Sequence, residues 1–351
     1  MPDMQRIGID CRLASVEGGL QRYTRELTTA LLAADPSLPC TLFVRSPEEE
    51  WLKGLSGSPS LMVAPYRHYG VREQFLFPHL LKHSGIRVLF SPHFNVPLLC
   101  PVPFVATIHD LTLHRFPNAA SLQKRLAYRL LMRHAVFKSV ALVTVSNATR
   151  EDIVRTYGGS LAPKISVIPN GVHERFSPQP RGIQEHVRSK YGLSKPYFLY
   201  VGNAKEHKNL PLLLSAFAEI HSRDTELVLV TGGSEVSALS IPSAVRVLHA
   251  IPDTDLPALY SGALAFVTAS LLEGFCLPAA EAQACGCPVI APRSSAFPEV
   301  VSAEGSLLIE PTIEALKKAL LHPPHSSTVP PRRFSWEENA RNILALLRSL
   351  P

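Results

Sequence analysis

Strand-length apolar runs recur along nearly the whole chain, alternating with longer stretches in which apolar positions return every three or four residues. That alternation predicts parallel α/β sheets, because a strand covered on both faces reads as an uninterrupted apolar run while its crossover helix keeps a polar face. In the first half the predicted strands are Arg6–Asp10, Cys40–Val44, Arg87–Ser91, Pro103–Ile108, Val140–Val145 and Ile165–Ile168. Helices are predicted over Gly19–Ala34, Ser121–Lys138 and Asn147–Tyr157, the last with Ser146 as its N-cap.

A proline- and glycine-rich passage follows, from Pro169-Asn170-Gly171 through Ser177-Pro178-Gln179-Pro180 to Gly182, and predicts a linker and hinge. The pattern then restarts with strands at Tyr197–Val201, Glu226–Val230, Val245–Leu248, Leu264–Thr268 and Pro288–Ala291, and a helix over Leu210–His221. A second break, His322–Pro331, precedes a helix over Ser335–Leu350 whose Trp336, Ile343, Leu344 and Leu347 approximate one face. The expected organisation is a Rossmann-like domain over 1–178, a second over 179–330, and a helix over 331–351 that returns to the first. Ligands of open parallel sheets collect beyond the carboxyl ends of the strands, so two facing sheets are expected to frame a cleft that closes on its ligand.

Composition narrows the class. At 351 residues the chain exceeds a single core, and 46% hydrophobic with 18% charged residues marks a packed globular protein. Apolar runs such as Val140–Val145 and Ala263–Ala269 fall far short of the roughly 20 residues of a membrane span. No secretory signal opens the chain, so cytoplasmic residence is expected. The six cysteines form no CxxC pair, and no histidine cluster has metal-ligand spacing, so reduced, mostly buried thiols and no metal are expected. A net charge of +6 fits an anionic ligand or an acidic membrane surface, whereas no motif for nucleic acid is present.

The most informative stretch runs from Glu273-Gly274-Phe275-Cys276-Leu277-Pro278 through Glu281 to Gly286, between two predicted strands. Pro278 is a helix starter and Gly286 a helix stop, which places the amides of Phe275, Cys276 and Leu277 at a helix N-terminus. Such an end attracts anions, at about 0.3 to 1 kcal/mol per charge from the helix dipole alone. A diphosphate suits it, while Glu273 and Glu281 suit sugar hydroxyls, which donate to carboxylates. Eight residues of helix rise would part the two glutamates by about 12 Å. Glycosidase carboxylate pairs lie roughly 5 to 9.5 Å apart, so two contacts on one elongated ligand are favoured.

This segment resembles the signature of the family-four retaining glycosyltransferases, a Glu, seven residues and a Glu around a Gly-Phe-Gly-Leu-Pro loop. The chain matches at Glu273, Phe275, Leu277, Pro278 and Glu281 and departs at Cys276, where the family usually has glycine. The resemblance extends in order from Gly8 to about Val301. Gly18-Gly19-Leu20-Gln21-Arg22-Tyr23 is similar to the family's glycine loop, Thr107-Ile108-His109-Asp110 to its histidine site, and Tyr200-Val201-Gly202-Asn203 through His207-Lys208-Asn209-Leu210 to its phosphate-binding turn. Ser295-Ala296-Phe297-Pro298-Glu299-Val300 resembles the segment after the signature helix, and within the family the loops resemble bacterial mannosyltransferases of O-antigen assembly.

The resemblance implies a GT-B fold and metal-independent, retaining transfer of a hexose from a GDP- or UDP-linked sugar, without a cofactor, to a saccharide or lipid-linked acceptor. It implies that His109, Lys208 and Glu273 serve catalysis. Glu281 would hold the ribose, and Gly18, Gly19, Gly202, Gly274, Phe275, Cys276 and Leu277 would approach the donor. Asn203 replaces the family's arginine, leaving Lys205 or His207 as the second positive contact. Gly232 and Ile251 would lie near the base. The implied chemistry is front-face substitution in which the leaving diphosphate takes the acceptor's proton.

Two motifs stand aside from this scheme. Asp253-Thr254-Asp255 has acidic metal-motif spacing, but it introduces a helix and reads better as a cap. The Ser121–Lys138 helix carries Lys124, Arg125, Arg129, Arg133 and Lys138 among Leu122, Leu126, Leu130 and Phe137. It reads either as a membrane-docking helix or, preferably, as an ordinary helix with its leucines on the sheet. The rival functions are a hydrolysing or epimerising nucleotide-sugar enzyme of the same architecture and a noncatalytic nucleotide-sugar-binding protein.

Overall fold

The computed structural model describes residues 6–16, 18–220, 224–232, 234–325 and 334–350, so that part of the second proline-rich break, 326–331, lies outside the described residues. It divides into two compact units, Met1–Gly171 with Ser335–Pro351, and Val172–Phe334.

In the first unit the strands are β1 (Ile7–Asp10), β2 (Cys40–Val44), β3 (Ser60–Val63), β4 (Val88–Ser91), β5 (Phe104–Ile108), β6 (Ala141–Thr144) and β7 (Ile165–Val167). They form one sheet in the order β3-β2-β1-β4-β5-β6-β7, parallel throughout. The helices are α1 (Gly19–Ala34), α2 (Val71–His83), α3 (Thr112–Arg115), α4 (Leu122–Lys138) and α5 (Asn147–Tyr157). Ser146 caps α5 by accepting from the Thr149 amide at 3.2 Å. Phe77 and Leu81 of α2, and Tyr128, Leu131 and Met132 of α4, share one core beneath the sheet.

The preferred reading of α4 fails. Tyr128, Leu131, Met132, Ala135 and Val136 are the residues it buries, while Leu122, Leu126, Leu130 and Phe137 lie on the solvent side. The helix has more apolar positions than one face can cover, and the set on its opposite side meets the sheet.

The second unit has α6 (Arg181–Lys190), β8 (Tyr197–Val201), α7 (Leu210–Glu219), β9 (Glu226–Val230), β10 (Val245–Leu248), α8 (Leu256–Ser261), β11 (Ala265–Val267), α9 (Leu277–Ala284), β12 (Val289–Pro292), α10 (Phe297–Val300), β13 (Ser306–Ile309) and α11 (Ile313–Leu321). Its parallel sheet runs β10-β9-β8-β11-β12-β13. Residues 172–178 belong here, because Phe176 is buried in this unit's core and the Val172 amide donates to the Phe334 carbonyl at 2.9 Å.

The chain returns to the first unit through α12 (Trp336–Arg348), capped by Ser335 and packed on α1. Trp336, Ile343, Leu344 and Leu347 are buried, and the rings of Tyr23 of α1 and Trp336 meet edge-on with centroids 5.7 Å apart. Gly171 makes this crossing possible, since a Cβ there would stand 2.2 Å from the Trp336 nitrogen.

Candidate functional site

Parallel strands bring the loops after their carboxyl ends to one rim, and in the second unit the loops after β8 and β11 are neighbours because those strands pair. The β8 loop passes Gly202, where a Cβ would stand 2.9 Å from the Tyr200 hydroxyl, and that hydroxyl donates to the Asn203 carbonyl at 2.6 Å. Asn203 is spent on the turn itself, its Oδ1 accepting from the Lys205 amide at 3.3 Å. Lys205 is exposed. The turn is fastened to the β11 loop at His207, whose carbonyl accepts from the Leu271 amide at 2.8 Å and the Ser270 hydroxyl at 3.2 Å.

This fastening sets Lys208 against Glu273. Lys208 Nζ lies 2.6 Å from Glu273 Oε1, with the two side chains 16% and 11% exposed. Glu273 is itself clamped: Ser295, in left-handed backbone at φ 57°, donates its hydroxyl to the Glu273 carbonyl at 2.6 Å and accepts from the Glu273 amide at 2.9 Å. The ammonium thus stands on a part-buried carboxylate, where electrostatic interactions are stronger than in bulk water.

Downstream of Glu273, α9 starts at Leu277 with Pro278 in its first turn. Among the described residues the amides of Phe275, Cys276 and Leu277 donate to no protein acceptor, the condition expected of an anion-binding helix start. Phe275 is buried with its ring 4.9 Å from Phe334. Helical rise covers only part of the span from Glu273 to Glu281, so the 12 Å argument does not hold in that form. Glu281 is 1% exposed and accepts from the Tyr260 hydroxyl of α8 at 3.3 Å. Gly232 and Ile251 follow the paired strands β9 and β10, whose ends are tied by His249 Nδ1 and the Thr231 carbonyl at 3.0 Å.

Cys276 holds φ 70° and ψ 70° at the N-cap of α9, a conformation in which glycine bears no Cβ penalty. Burial pushes its thiol far above the ordinary range, so it is a neutral thiol. Replacing it with glycine relieves about 1 to 2 kcal/mol of backbone strain. It gives back a similar amount in unfolded-state entropy and lost packing, so near-neutral stability is expected. Cys276→Val adds a β-branched side chain to the same backbone and is expected to cost about 1 to 3 kcal/mol in urea titrations.

In the first unit His109 follows β5. Its Nε2 lies 2.9 Å from the Pro92 carbonyl, which can only accept, so Nε2 carries the proton and Nδ1 keeps its lone pair. Burial holds the ring below its ordinary pKa against the opposing pull of that carbonyl and Asp110, so it is neutral near pH 7. Tyr23, one turn into α1, packs edge-to-face with His109 at 4.6 Å between ring centroids, which brings the helix start at Gly18 and Gly19 into the same neighbourhood. A Cβ at either glycine would meet no atom within 4 Å, leaving that backbone open.

The sequence shows Ser295 without a role and gives no sign of Ser270, which bridges two loops, or of Tyr260, which bridges two helices. Asp255 sits at the N-cap of α8 but does not cap it. Its αR backbone turns the carboxylate away, to Lys190 at 2.6 Å and the Tyr191 hydroxyl at 2.5 Å.

Residues 17–176 match the model of Glycosyltransferase Family 4 and residues 184–343 that of Glycosyl transferases group 1. The chain is 29% identical over 243 residues to the O-antigen chain mannosyltransferase RfbU of Salmonella typhimurium, covering 67% of this chain and 64% of that one. It is 28% identical over 256 residues to O-antigen chain mannosyltransferase B of Escherichia coli, covering 66% of this chain and 67% of that one. The match thus spans about two thirds of the length of these curated relatives. Among solved structures it is similar to the sucrose-phosphate synthase of Thermosynechococcus elongatus, at TM-score 0.75 and 21% identity over 98% of both chains. With one family model on each half and the two wound sheets of the fold beneath them, the chain belongs to the GT-B glycosyltransferases, a family 4 first half followed by a group 1 second half.

Proposed function

We propose that the protein transfers mannose, with retention and without a metal or organic cofactor, from a nucleoside diphosphate sugar to a saccharide or lipid-linked saccharide acceptor in cell-surface polysaccharide assembly. The observation that carries this reading is the Lys208–Glu273 pair beside the open amides of Phe275, Cys276 and Leu277. A lysine charge and a helix start are what a departing diphosphate needs, since both favour negative charge that grows as the glycosidic bond breaks. Glu273 fixes that lysine and offers a carboxylate oxygen to a hexose hydroxyl. Glu281, held by Tyr260, would be the floor to which ribose hydroxyls donate, and Gly232 and Ile251 would flank the base. His109, with its bare Nδ1, would accept from a hydroxyl of the hexose, and Gly18 and Gly19 would admit phosphate oxygens. The names of the Salmonella and Escherichia relatives support mannose and O-antigen assembly.

The test is a thermal-shift panel of GDP- and UDP-sugars with chelator present, followed by turnover on a lipid-linked saccharide. A mannose nucleotide at about 100 times its dissociation constant should stabilise the protein by about 2.7 kcal/mol. If no nucleotide sugar shifts the transition, or a shifting one is merely hydrolysed, the reading is wrong.

A further inference from the structure

One aromatic residue of the first unit is both strained and open to solvent. Tyr69, in the loop between β3 and α2, holds φ 62°, where a bulky side chain is seldom found, and it is 50% exposed. Glycine is the residue that this backbone favours.

What holds the turn is buried. The Tyr69 amide donates to Glu73 Oε2 at 2.7 Å, while Glu73 Oε1 lies 2.9 Å from Arg12 Nη2 and accepts from Asn95 Nδ2 at 2.8 Å. Glu73, Arg12 and Asn95 are all buried. Arg12 follows β1 and Asn95 follows β4, so the turn at Tyr69 is tied to the loops of two paired strands inside the sheet. Strained backbone that its surroundings over-determine in this way is a mark of functional sites.

The ring it presents belongs to a row. Tyr69 stands edge-on to His93 with centroids 6.3 Å apart and is tilted against Phe94 at 6.2 Å, and His93 in turn stacks with His109 at 6.5 Å. His93 and Phe94 are buried, so Tyr69 is the open end of a file of rings that runs past the carboxyl ends of β4 and β5 to His109. A half-open aromatic ring with packed side chains behind it offers an apolar face to the C–H bonds of a sugar and a hydroxyl at its edge.

We propose that Tyr69 is the platform on which the terminal sugar of the acceptor stacks, its ring held in one direction by Glu73. The inference rests on the proposed function in taking the acceptor to be a saccharide and His109 to face the transferred hexose. Stacking fixes which face of the acceptor sugar lies down, and thereby which hydroxyl edge turns along the row toward His109.

Saturation-transfer NMR on the full chain, with aromatic protons irradiated and methyl glycosides of mannose, galactose, rhamnose and N-acetylglucosamine as probes, tests the platform without any donor. At least one glycoside should receive saturation at the C–H protons of one ring face. Tyr69→Leu should cut that signal about five- to tenfold, the range of a single aromatic contact, and Tyr69→Phe should restore it. In turnover, Tyr69→Leu should raise KM for the lipid-linked saccharide by a similar factor and leave KM for the nucleotide sugar in place. Should Tyr69→Leu fail to fold, Tyr69→Gly repeats both measurements on a relaxed backbone. The strain has its own readout, since Tyr69→Gly should melt above Tyr69→Ala, glycine alone being at ease at φ 62°. Absence of any glycoside signal, a signal indifferent to Tyr69→Leu, a loss that Tyr69→Phe does not restore, or an equal rise in both KM values would each overturn the proposal. Nucleotide-sugar thermal shifts should be the same in every Tyr69 variant, so failure here is separable from failure of the donor-site reading.

Discussion

Replacing Lys208 with methionine should lower kcat about a hundredfold to a thousandfold, with a much smaller change in KM. The apolar stem is kept, so packing changes little, and what is lost is the positive charge that the proposed function sets beside the leaving diphosphate. That charge matters most when the bond is breaking, and removal of one preorganised electrostatic partner typically has an effect of this order. Glu273→Gln should cost a comparable factor for a linked reason. The 2.6 Å contact makes Glu273 the support on which Lys208 stands. The double variant should therefore be little worse than either single one, since residues that act as a unit are grossly non-additive. Steady-state rates on the donor identified by thermal shift measure all three. Additive losses would mean that the two side chains serve separate steps.

The second large effect is on stability. Arg12 is fully buried between two carboxylates, with Nη2 at 2.7 Å from Asp10 and 2.9 Å from Glu73 and its guanidinium 3.8 Å above the Phe77 ring. Glu73 also accepts from the Tyr69 amide at 2.7 Å and from Asn95 at 2.8 Å. Burial works against the charge on Asp10, yet Arg12 holds that carboxyl below its usual range, whereas burial prevails at Glu73 and raises it. Arg12→Met strands two acids in the interior and should cost about 3 to 5 kcal/mol. At 2 to 4 °C per kcal/mol, that is a fall of about 6 to 20 °C in the melting of the first unit. Scanning calorimetry measures it, and a loss below about 1 kcal/mol would show that the acids simply take up protons.

Much of this fold is legible in the residues. Gly19–Ala34, Cys40–Val44 and Glu226–Val230 emerge with the boundaries that their apolar patterns give. The elements that escape notice are those whose pattern does not follow from burial. β3 is an edge strand, with Leu61 and Val63 facing solvent. α2 carries Pro78 inside it and has apolar residues on both faces, so no helical period stands out. For the same reason the pattern of α4 points Leu122, Leu126 and Leu130 toward the sheet when they face solvent.

At the site, the signature loop and its helix start can be read directly, because a proline, a glycine and their neighbours act locally. The Lys208–Glu273 contact, the Ser295 clamp and the Tyr260 support join residues 65, 22 and 21 positions apart, and only the pairing of strands and the packing of α8 on α9 bring them together. The exchange of arginine for Asn203 could be seen in the sequence. Its consequence, a side chain turned onto its own loop, could not.

The Gly171 crossing also governs the order in which the molecule is made. Because α12 covers α1 with Trp336, Ile343, Leu344 and Leu347, the first unit is begun before residues 172–334 and completed only after them. The intervening stretch, residues 172–334, holds all of its own sheet and can condense while the earlier one still waits for its final helix. During synthesis the apolar flank of α1 therefore stays bare until residues 172–334 have passed, and nascent-chain chaperones have that whole interval to bind there.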